Sequence, residues 1–499
     1  MRSEAHGIDL GAYGNTVDDT ARAGTPRISL RYPDLYADLE KDKPLTIRWE
    51  SFGNAGESPV RIDLYQDGPH GPALRATIAA ATADDGEFIW IPSSSGLDFG
   101  TYGLRIQVSL VNVPIAIDRS QETFTVPEDG TTYWVDDASN TGDQTTPNGV
   151  GDNRHTGKLA TAPKPYATNL LRVYDLGAAS VLHIDTGEYS MIDPVAISGS
   201  TDIGLGLDEG FSILGPSDPA RIAALFPAIP GDRTQPVILL DDADNMTIRD
   251  LTLRNALRGL EVRNGSDGFV ASDLTATGHA SGGLRIDTNA PFATFDGLTA
   301  YGNTGVGISI DGPIAAFTNG LAYNNTTHGI QLTGGVAYVS DSVAHDNGSI
   351  GIWIESPGAG ARIEGNRTYG NNVGLQVYNS GSGAEAIVGS MDLSLGRGNL
   401  SYGNRAIGIQ AAYNTRVAGN TVFGQTNQFS TGISVFAGPS VSRNVVHGNY
   451  IGIDVGGTDV SENRVYNNTG IGIRGSAGQG FARNVIYSNP TNLQVSLGN

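Results

Sequence analysis

The fold is decided by residues 300–354, which read AYGNTGVGISI at 300–310, AYNNTTHGIQL at 322–332 and AHDNGSIGIWI at 344–354. Variants of this phrase recur at 368–378, 401–411, 446–455 and 465–475. Its Gly-Ile or Gly-Leu pair returns mostly every 20 to 24 residues between Gly259 and Gly472. A fixed period of this length is typical of a solenoid in which each repeat forms one coil.

Each repeat contains short alternating runs of Ile, Val and Leu that are separated by Asn, Gly and Ser, without an apolar period of helical length. This pattern predicts an all-β fold, a right-handed parallel β-helix of about 12 coils. One interval, from Gly374 to Gly408, is longer than the rest. Its extra stretch, GSGAEAIVGSMDLSLGRG at 381–398, is predicted to leave the coil as a loop.

The first part of the chain has a different pattern. Residues 1–25 are interpreted as a linker or the stub of an upstream domain. Residues 26–127 contain spaced strand candidates and turn clusters, which predict a small β-sandwich like an Ig or fibronectin III module. Its expected core aromatics are Trp49, Trp90, Tyr65 and Tyr102. Residues 128–499 are assigned to the β-helix, with an N-terminal capping helix near 165–177.

Composition excludes several classes of function. The net charge of −21 disfavours general binding to nucleic acid or to an anionic membrane. The absence of cysteine excludes disulfides and thiolate chemistry. No apolar stretch is long enough for membrane insertion. We expect a monomeric fragment of a larger multidomain protein that is secreted or on the cell surface of a bacterium.

An acidic run lies at the start of the predicted β-helix: Asp136, Asp137, Asp143 and Asp152. Clustered carboxylates are suitable ligands for calcium. The alternative is a solvated acidic loop, because the spacing meets no calcium-loop consensus. No other cofactor is expected, and calcium itself is not required by the reactions considered below.

One repeat position carries a ring in nine coils, mostly with Asn two residues later: Tyr301, Tyr323, His345, Tyr369, Tyr402, Phe423, His447, Tyr466 and Tyr487. Equivalent positions in successive coils lie about 4.8 Å apart. The pattern therefore predicts a ring stack beside an asparagine ladder. Both are interpreted as scaffold, and the two histidines as structural.

The second and fourth residues after each repeat glycine should point outward, because side chains alternate along a strand. We call these two outward columns the strip. Charged and aromatic residues gather there, as expected for a surface that binds a polymer. Candidate substrate-binding residues are Glu261, Arg263, Gln331, Trp353, Gln376, Tyr378 and Phe436. Candidate catalytic residues are Arg285, Asp287, Asp311, Glu355 and, at the edge of the strip, His328.

Five arginines form a basic patch in this acidic chain: Arg249, Arg254, Arg258, Arg263 and Arg285. Guanidinium groups bind carboxylates and sulfates well, so the patch suggests an acidic polysaccharide as partner. The alternative is that these arginines pair with Glu261, Asp287 and Asp311 on neighbouring coils.

The repeats YNNTTHGIQL (323–332) and VAHDNGSIGIWI (343–354) resemble the coils of bacterial mannuronan C5-epimerases, over roughly residues 250–490. The resemblance implies a β-helix that acts on alginate along one strip. Asp311 matches an acidic strand residue of that family, and His328 matches a histidine before the next glycine. The family's Tyr-Gly-Phe-Asp-Pro-His motif is absent, since Gly282, Arg285 and Asp287 occupy its tyrosine, aspartate and histidine positions.

Three functions follow as alternatives. The first is a lyase or C5-epimerase for a uronate polymer, with Arg285 and Arg263 on the carboxylate and Asp311 or Tyr378 in proton transfer. The second is an inverting glycoside hydrolase, similar to polygalacturonases in architecture, with Asp311 and Glu355 two coils apart. The third is a glycan-binding or adhesin rod without catalysis.

Overall fold

The computed structural model describes residues 26–33, 39–54, 58–68, 71–128, 130–199, 208–381 and 383–496. The predicted linker at 1–25 lies outside these residues. The chain divides into two units, Met1–Asp175 and Leu176–Asn499. The domain bounds proposed from the sequence stay predictions. Among the described residues, no helix has the length and apolar character needed to cross a membrane.

The first unit contains two antiparallel sheets around one apolar core. One sheet is formed by Arg27–Tyr32, Leu45–Phe52 and Glu87–Trp90. The other is formed by Val60–Gly68, Gly71–Thr82, Thr101–Leu110, Val113–Arg119 and Phe124–Val126. Two sheets that share a core confirm the predicted small β domain.

Its predicted core aromatics fare differently. Trp49 and Trp90 are buried, as expected. Tyr65 is half-buried, with the Arg119 guanidinium 4.2 Å from its ring centroid. The assignment of Tyr102 to the core was wrong, because its side chain is 72% exposed. The pairing register shifts just after Tyr102, and Gly103 has a φ of 71°, so the strand's alternation is broken there.

Three shorter elements are also found among the described residues of the first unit: a 3₁₀ turn at Pro92–Ser95, a strand at Thr132–Val135 and an α-helix at Ala167–Leu171. The helix lies inside the predicted range 165–177 but has only five residues. The side chain of its N-cap residue, Tyr166, makes no capping hydrogen bond, so this end lacks a contact that would stabilise a longer helix. Its role as a cap of the β-helix stays a prediction.

The second unit is a parallel β-helix of thirteen coils, each made of three strands. Sheet I consists of Val181–Ile184, Ser212–Leu214, Thr247–Arg249, Val270–Ser272, Ala290–Asp296, Ile314–Thr318, Tyr338–Ser340, Arg362–Glu364, Ala386–Gly389, Thr415–Ala418, Ser440–Ser442, Asp459–Ser461 and Phe481–Ala482. Sheet II consists of Gly187–Met191, Ala223–Pro227, Thr252–Arg254, Thr275–Thr277, Thr299–Tyr301, Leu321–Tyr323, Val343–His345, Arg367–Tyr369, Leu400–Tyr402, Thr421–Phe423, Val445–His447, Arg464–Tyr466 and Val485–Tyr487. Sheet III consists of Val195–Ser198, Ile238–Asp241, Arg258–Arg263, Gly282–Asp287, Val306–Asp311, Ile330–Thr333, Ile350–Glu355, Val373–Asn379, Ile407–Tyr413, Thr431–Phe436, Ile451–Gly456, Ile471–Ser476 and Thr491–Ser496. We number the coils 1 to 13 in chain order, and the coil count agrees with the predicted number of about 12.

The ring stack and the asparagine ladder are present as predicted. Consecutive rings from Tyr301 to Tyr487 have centroids 4.6 to 5.2 Å apart and lie nearly parallel. His345 and His447 occupy places within this stack, as the scaffold interpretation requires. In the buried ladder, the amide Nδ2 of Asn325 donates to Oδ1 of Asn347, and Nδ2 of Asn347 donates to Oδ1 of Asn371, both at 3.0 Å. Stack and ladder together fix the register of sheets II and III.

A second ladder, which the sequence analysis missed, lies at the corner between sheets I and II: Asn366, Asn399, Asn420, Asn444, Asn463 and Asn484. Each Nδ2 donates to Oδ1 of the next member at 3.0 Å. The signal was present in the sequence, because Asn recurs before the second strand of each of these coils. It was hidden because no stacked ring marks the position.

The long interval between Gly374 and Gly408 is only partly a loop. Ala386–Gly389, in its middle, is a strand of sheet I and pairs with the coils on both sides. The extra residues lie instead between Gly389 and Leu400, at the corner of sheets I and II. Arg397 holds this loop in place by donating to Glu364 Oε1 at 2.8 Å and to Asp341 Oδ2 at 2.9 Å. The insertion therefore leaves from the corner opposite the outward face of sheet III.

His279 begins the first ladder and replaces an asparagine there. Its Nδ1 accepts the N–H of Ala256 at 3.2 Å, and its Nε2 donates to the carbonyl of Leu253 at 2.9 Å. The ring is fully buried, and burial lowers the pKa of His279 from 6.5 to about 4. The neutral ring thus accepts one hydrogen bond and donates another, as the asparagine amides of the ladder do.

We expect His279→Asn to reduce the acid sensitivity of the fold. A histidine whose folded pKa is depressed stabilises the protein above its unfolded pKa of 6.5, and this contribution is lost as the pH falls toward 4. The loss is on the order of 3 kcal/mol for a shift of this size. Urea unfolding at pH 7 and pH 4.5 should show a smaller drop in the variant. An unchanged pH slope would contradict this assignment.

Candidate functional site

The strip predicted from the sequence lies on the outward face of sheet III. The register of sheet III aligns one column as Glu261, Arg285, Ser309, Gln331, Trp353, Gln376, Gln410, Ser434, Asp454 and Arg474. It aligns the other as Asp287, Asp311, Thr333, Glu355, Tyr378, Ala412, Phe436 and Gly456, with Asp241 beside Arg263 at its start. Neighbours within a column are one strand spacing apart, about 4.8 Å.

The basic patch is mostly neutralised by ion pairs. Arg263 Nη2 lies 2.6 Å from Asp241 Oδ2, and this contact lowers the pKa of Asp241 and raises that of Arg263. Arg258 Nη1 donates to Glu261 Oε2 at 2.8 Å, which occupies the buried Glu261 carboxylate. The remaining pairs are Arg254 with Glu188 and, more loosely, Arg249 with Asp250 at 3.7 Å. Four of the five arginines therefore pair with carboxylates, but of the expected partners Glu261, Asp287 and Asp311 only Glu261 takes part.

Arg285 is the exception. Its guanidinium is exposed and has no ion-pair or hydrogen-bond partner within the described part of the chain. It lies in coil 4, two residues before Asp287 on the same face of the strand. A solvated guanidinium without a protein carboxylate is free to bind an anionic group of a ligand.

Two acids lie beside Arg285. Asp287 and Asp311 are directly paired across coils 4 and 5, and both side chains are exposed. Asp311 Oδ1 accepts a hydrogen bond from the Thr333 hydroxyl at 2.6 Å, which orients the carboxylate. Glu355 is two coils beyond Asp311 in the same column and is also exposed. The structure therefore brings Arg285, Asp287 and Asp311 together, with Glu355 farther along.

His328 lies apart from these acids. It precedes the strand Ile330–Thr333, five positions before Thr333, which pairs with Asp311. Its Nδ1 accepts the N–H of Ile350 at 3.3 Å, and burial lowers the pKa of His328. Its ring meets the ring of Trp353 edge-on, with centroids 5.0 Å apart. His328 thus supports Trp353 and does not form a pair with Asp311.

The neutral half of the strip begins at coil 8. Gln331 and Tyr378 are half-buried, whereas Gln376 is buried between its column neighbours. Phe436 is 63% exposed, and its ring lies over Gly456, where a Cβ would approach the ring to 3.0 Å. In the two columns, no charged residue occurs from Gln376 to Ser434. Aromatic faces and amides are the groups that bind sugar rings and hydroxyls.

No metal centre is assembled by the described residues, since no three His, Cys, Asp or Glu side chains are grouped to hold an ion. Asp152, one of the four aspartates considered for calcium, pairs with Arg154 at 2.6 Å, and this lowers the pKa of Asp152 to about 2. Asp137 Oδ1 accepts the N–H of Ser139, and Asp136 Oδ1 accepts the N–H of Asp137. Calcium binding by these residues and by Asp143 stays a prediction.

Comparison with known proteins agrees with the fold. Residues 236–390 match the family model described as right handed beta helix region, which, with the sheet topology, confirms the predicted right-handed parallel β-helix. A search of curated proteins finds no match to the chain.

Three solved carbohydrate-active proteins are similar in fold. The A-module of mannuronan C-5 epimerase AlgE6 from Azotobacter vinelandii is 16% identical, with a TM-score of 0.35 over 64% of this chain and 91% of that one. Pectate lyase Pel9A is 13% identical, with a TM-score of 0.38 over 72% and 79%. The catalytic domain of a GH87 α-1,3-glucanase in complex with tetrasaccharides is 11% identical, with a TM-score of 0.38 over 89% and 86%.

Proposed function

We propose that the strip binds an acidic polysaccharide and that the protein is a lyase or C5-epimerase acting on its uronate units. The observation that carries this proposal is Arg285, an exposed guanidinium that no described carboxylate neutralises, next to Asp287 and Asp311. A uronate carries a carboxylate that suits the Arg285 guanidinium and an acidic C–H group that suits Asp287 and Asp311. We further propose that the protein acts as a monomer outside a bacterial cell.

The chemistry begins with removal of the proton on the carbon next to the carboxylate. Arg285 binds that carboxylate and stabilises the negative charge that develops on it as the C–H bond breaks. Asp311 accepts the proton as general base, held by its hydrogen bond from Thr333. Addition of a proton from water to the other face of the carbon gives the epimer, and Asp311 then releases its proton to solvent. Expulsion of the neighbouring glycosidic oxygen, which leaves with the proton taken by Asp311, instead gives an unsaturated chain end.

The other strip residues serve binding in this scheme. Trp353 offers an apolar face, and the ring of His328 contacts the Trp353 ring edge-on. Tyr378 is three coils from Asp311, about 14 Å, so it contacts a different sugar unit. Arg263 and Glu261 already have ionic partners and shape the end of the strip.

An inverting hydrolase is the second candidate, favoured by the spacing of two exposed acids. Asp311 and Glu355 belong to one column and are two coils apart, about 9.6 Å between backbones. Carboxyl groups about 6.5 to 9.5 Å apart leave room for the attacking water of an inverting mechanism. The third candidate is a rod that only binds glycans. It differs from the two enzymes because it would bind the polymer without forming any product.

The test uses Arg285→Gln and the polymers alginate, pectate and a sulfated algal glycan. We expect kcat/KM for a uronate polymer to fall about 10- to 100-fold, because a hydrogen bond to a charged group contributes about 1.5 to 3 kcal/mol. Ultraviolet absorbance detects a lyase product, proton NMR detects epimerisation, and a reducing-end assay detects hydrolysis. Arg48→Gln, which changes an exposed arginine of the first unit, is the control. Full activity in Arg285→Gln would remove carboxylate recognition from this residue.

A further inference from the structure

We propose that Phe429 and Tyr450 form a distal sugar-binding position, several sugar units along the strip from Asp311. The inference rests on the proposed function, because it assumes that a polysaccharide lies along the strip. Its ligand is one pyranose ring of that polysaccharide, bound by stacking and not by charge.

The loop that carries Phe429 is longer than most of its counterparts. Residues 424–430 join sheet II to sheet III in coil 10, whereas only residues 346–349 do so in coil 7 and residues 448–450 in coil 11. The extra length carries Phe429 to the surface, where it is 70% exposed. Core packing does not require this ring, so another reason is needed for its place beside the strip.

Phe429 and Tyr450 form a right-angled apolar corner. Their ring centroids are 5.2 Å apart and their planes are at 89°. Tyr450 lies flat over Gly470, where a Cβ would approach its ring to 2.8 Å, so the glycine lets the ring rest against the backbone. Tyr450 immediately precedes the sheet III strand of coil 11 and is thus held at the border of the strip.

A sugar ring fits the chemistry of this corner. One face of a pyranose presents C–H groups, which gain free energy when they leave water for an aromatic face. The outward side chains of Gln410 and Ser434 belong to coils 9 and 10 of the strip and offer partners for hydroxyl groups. Arg474, which lies near Tyr450, is neutralised by Asp454, with Nε 2.9 Å from Oδ1.

The position of the corner predicts a dependence on chain length. Asp311 belongs to coil 5 and Phe429 to coil 10, so they are five coils apart, about 24 Å along the rod. A short oligosaccharide bound at Asp311 does not reach the corner. A long chain engages both places and gains affinity from the second contact.

The experiment measures dissociation constants for whichever of alginate, pectate and the sulfated glycan binds the wild type most tightly, and for the trisaccharide of that polymer. Phe429→Ala should weaken polymer binding about tenfold, equivalent to about 1.4 kcal/mol and within the range of an aromatic contact. Trisaccharide binding should not change. Phe429→Trp keeps a ring at this position and should bind as the wild type does. Phe292→Ala, which removes a 94% exposed ring from sheet I of coil 5, is the matched control.

The outcomes separate this inference from the proposed function. If Phe429→Ala binds the polymer as tightly as the wild type, or loses the same affinity for polymer and trisaccharide, the distal position would be overturned. The role proposed for Arg285 would not be affected. If Arg285→Gln leaves kcat/KM unchanged while Phe429→Ala binds the polymer more weakly, carboxylate recognition by Arg285 would be overturned. The corner would then be supported. A wild-type protein that binds none of the three polymers would overturn both.

Discussion

Asp311→Asn should abolish at least about 99% of turnover on the polymer that the protein processes, an effect on the order of 3 kcal/mol in the activation barrier. The substitution removes the negative charge that accepts the proton but keeps an oxygen for the Thr333 hydroxyl. The side chain is exposed, so the melting temperature should hardly change. Initial rates at saturating substrate, with a thermal melt of the same sample, measure both effects.

Asp392→Asn is the control for this experiment. Asp392 is also an exposed carboxylate that accepts a hydroxyl hydrogen bond, from Ser394 at 2.6 Å, but it belongs to the insertion between sheets I and II. It should retain nearly full activity. Equal turnover in wild type and Asp311→Asn would exclude Asp311 from catalysis.

The largest loss of stability should follow from Asn347→Leu, in the middle of the first ladder. The substitution leaves the backbone N–H and one Nδ2 hydrogen of Asn325 without their acceptor, and it removes the Asn347 donor from the Ala322 carbonyl. All of these groups are buried, and each lost bond of this kind costs about 1 to 3 kcal/mol. The free energy of unfolding should therefore fall by about 4 kcal/mol or more, measured as a shift of the urea midpoint.

Asn372→Ala provides the comparison. Asn372 follows the ladder residue of coil 8, but its side chain is exposed and makes no hydrogen bond among the described residues. Its loss should change stability by no more than about 0.5 kcal/mol. A similar small change in Asn347→Leu would show that the ladder is not a source of stability.

Much of the scaffold was predictable because a solenoid repeats the same sequence pattern from coil to coil. Gly259 to Gly472 gave the coil length, and period-two alternation after each glycine correctly placed Glu261, Arg285 and Trp353 in one outward column. Aromatic residues at a fixed repeat position predicted the ring stack. In each case the same residue type recurs at the same phase, so one sequence contains many independent copies of the signal.

The charge arrangement could not be predicted in the same way. The basic patch looked available for a ligand, but Arg254 pairs with Glu188 and Arg263 with Asp241, residues of other coils in irregular early repeats. Which long side chain meets which carboxylate depends on rotamers and on corner geometry, neither of which has a period. For the same reason Phe429 was overlooked, since the length of its loop does not recur from coil to coil.

The direction of the two amide ladders has a consequence for how such a protein can change over evolutionary time. The hydrogen bonds that a ladder asparagine makes between coils reach only the coil before it and the coil after it, as those of Asn444 reach Val417 and Asn463. Duplication or deletion of one complete coil therefore recreates the same contacts at the new junction. The rod can thus become longer or shorter by whole coils while coils 4 and 5, which hold Arg285 and Asp311, remain intact. The length of polymer that the rod contacts and the chemistry at one site can therefore evolve independently.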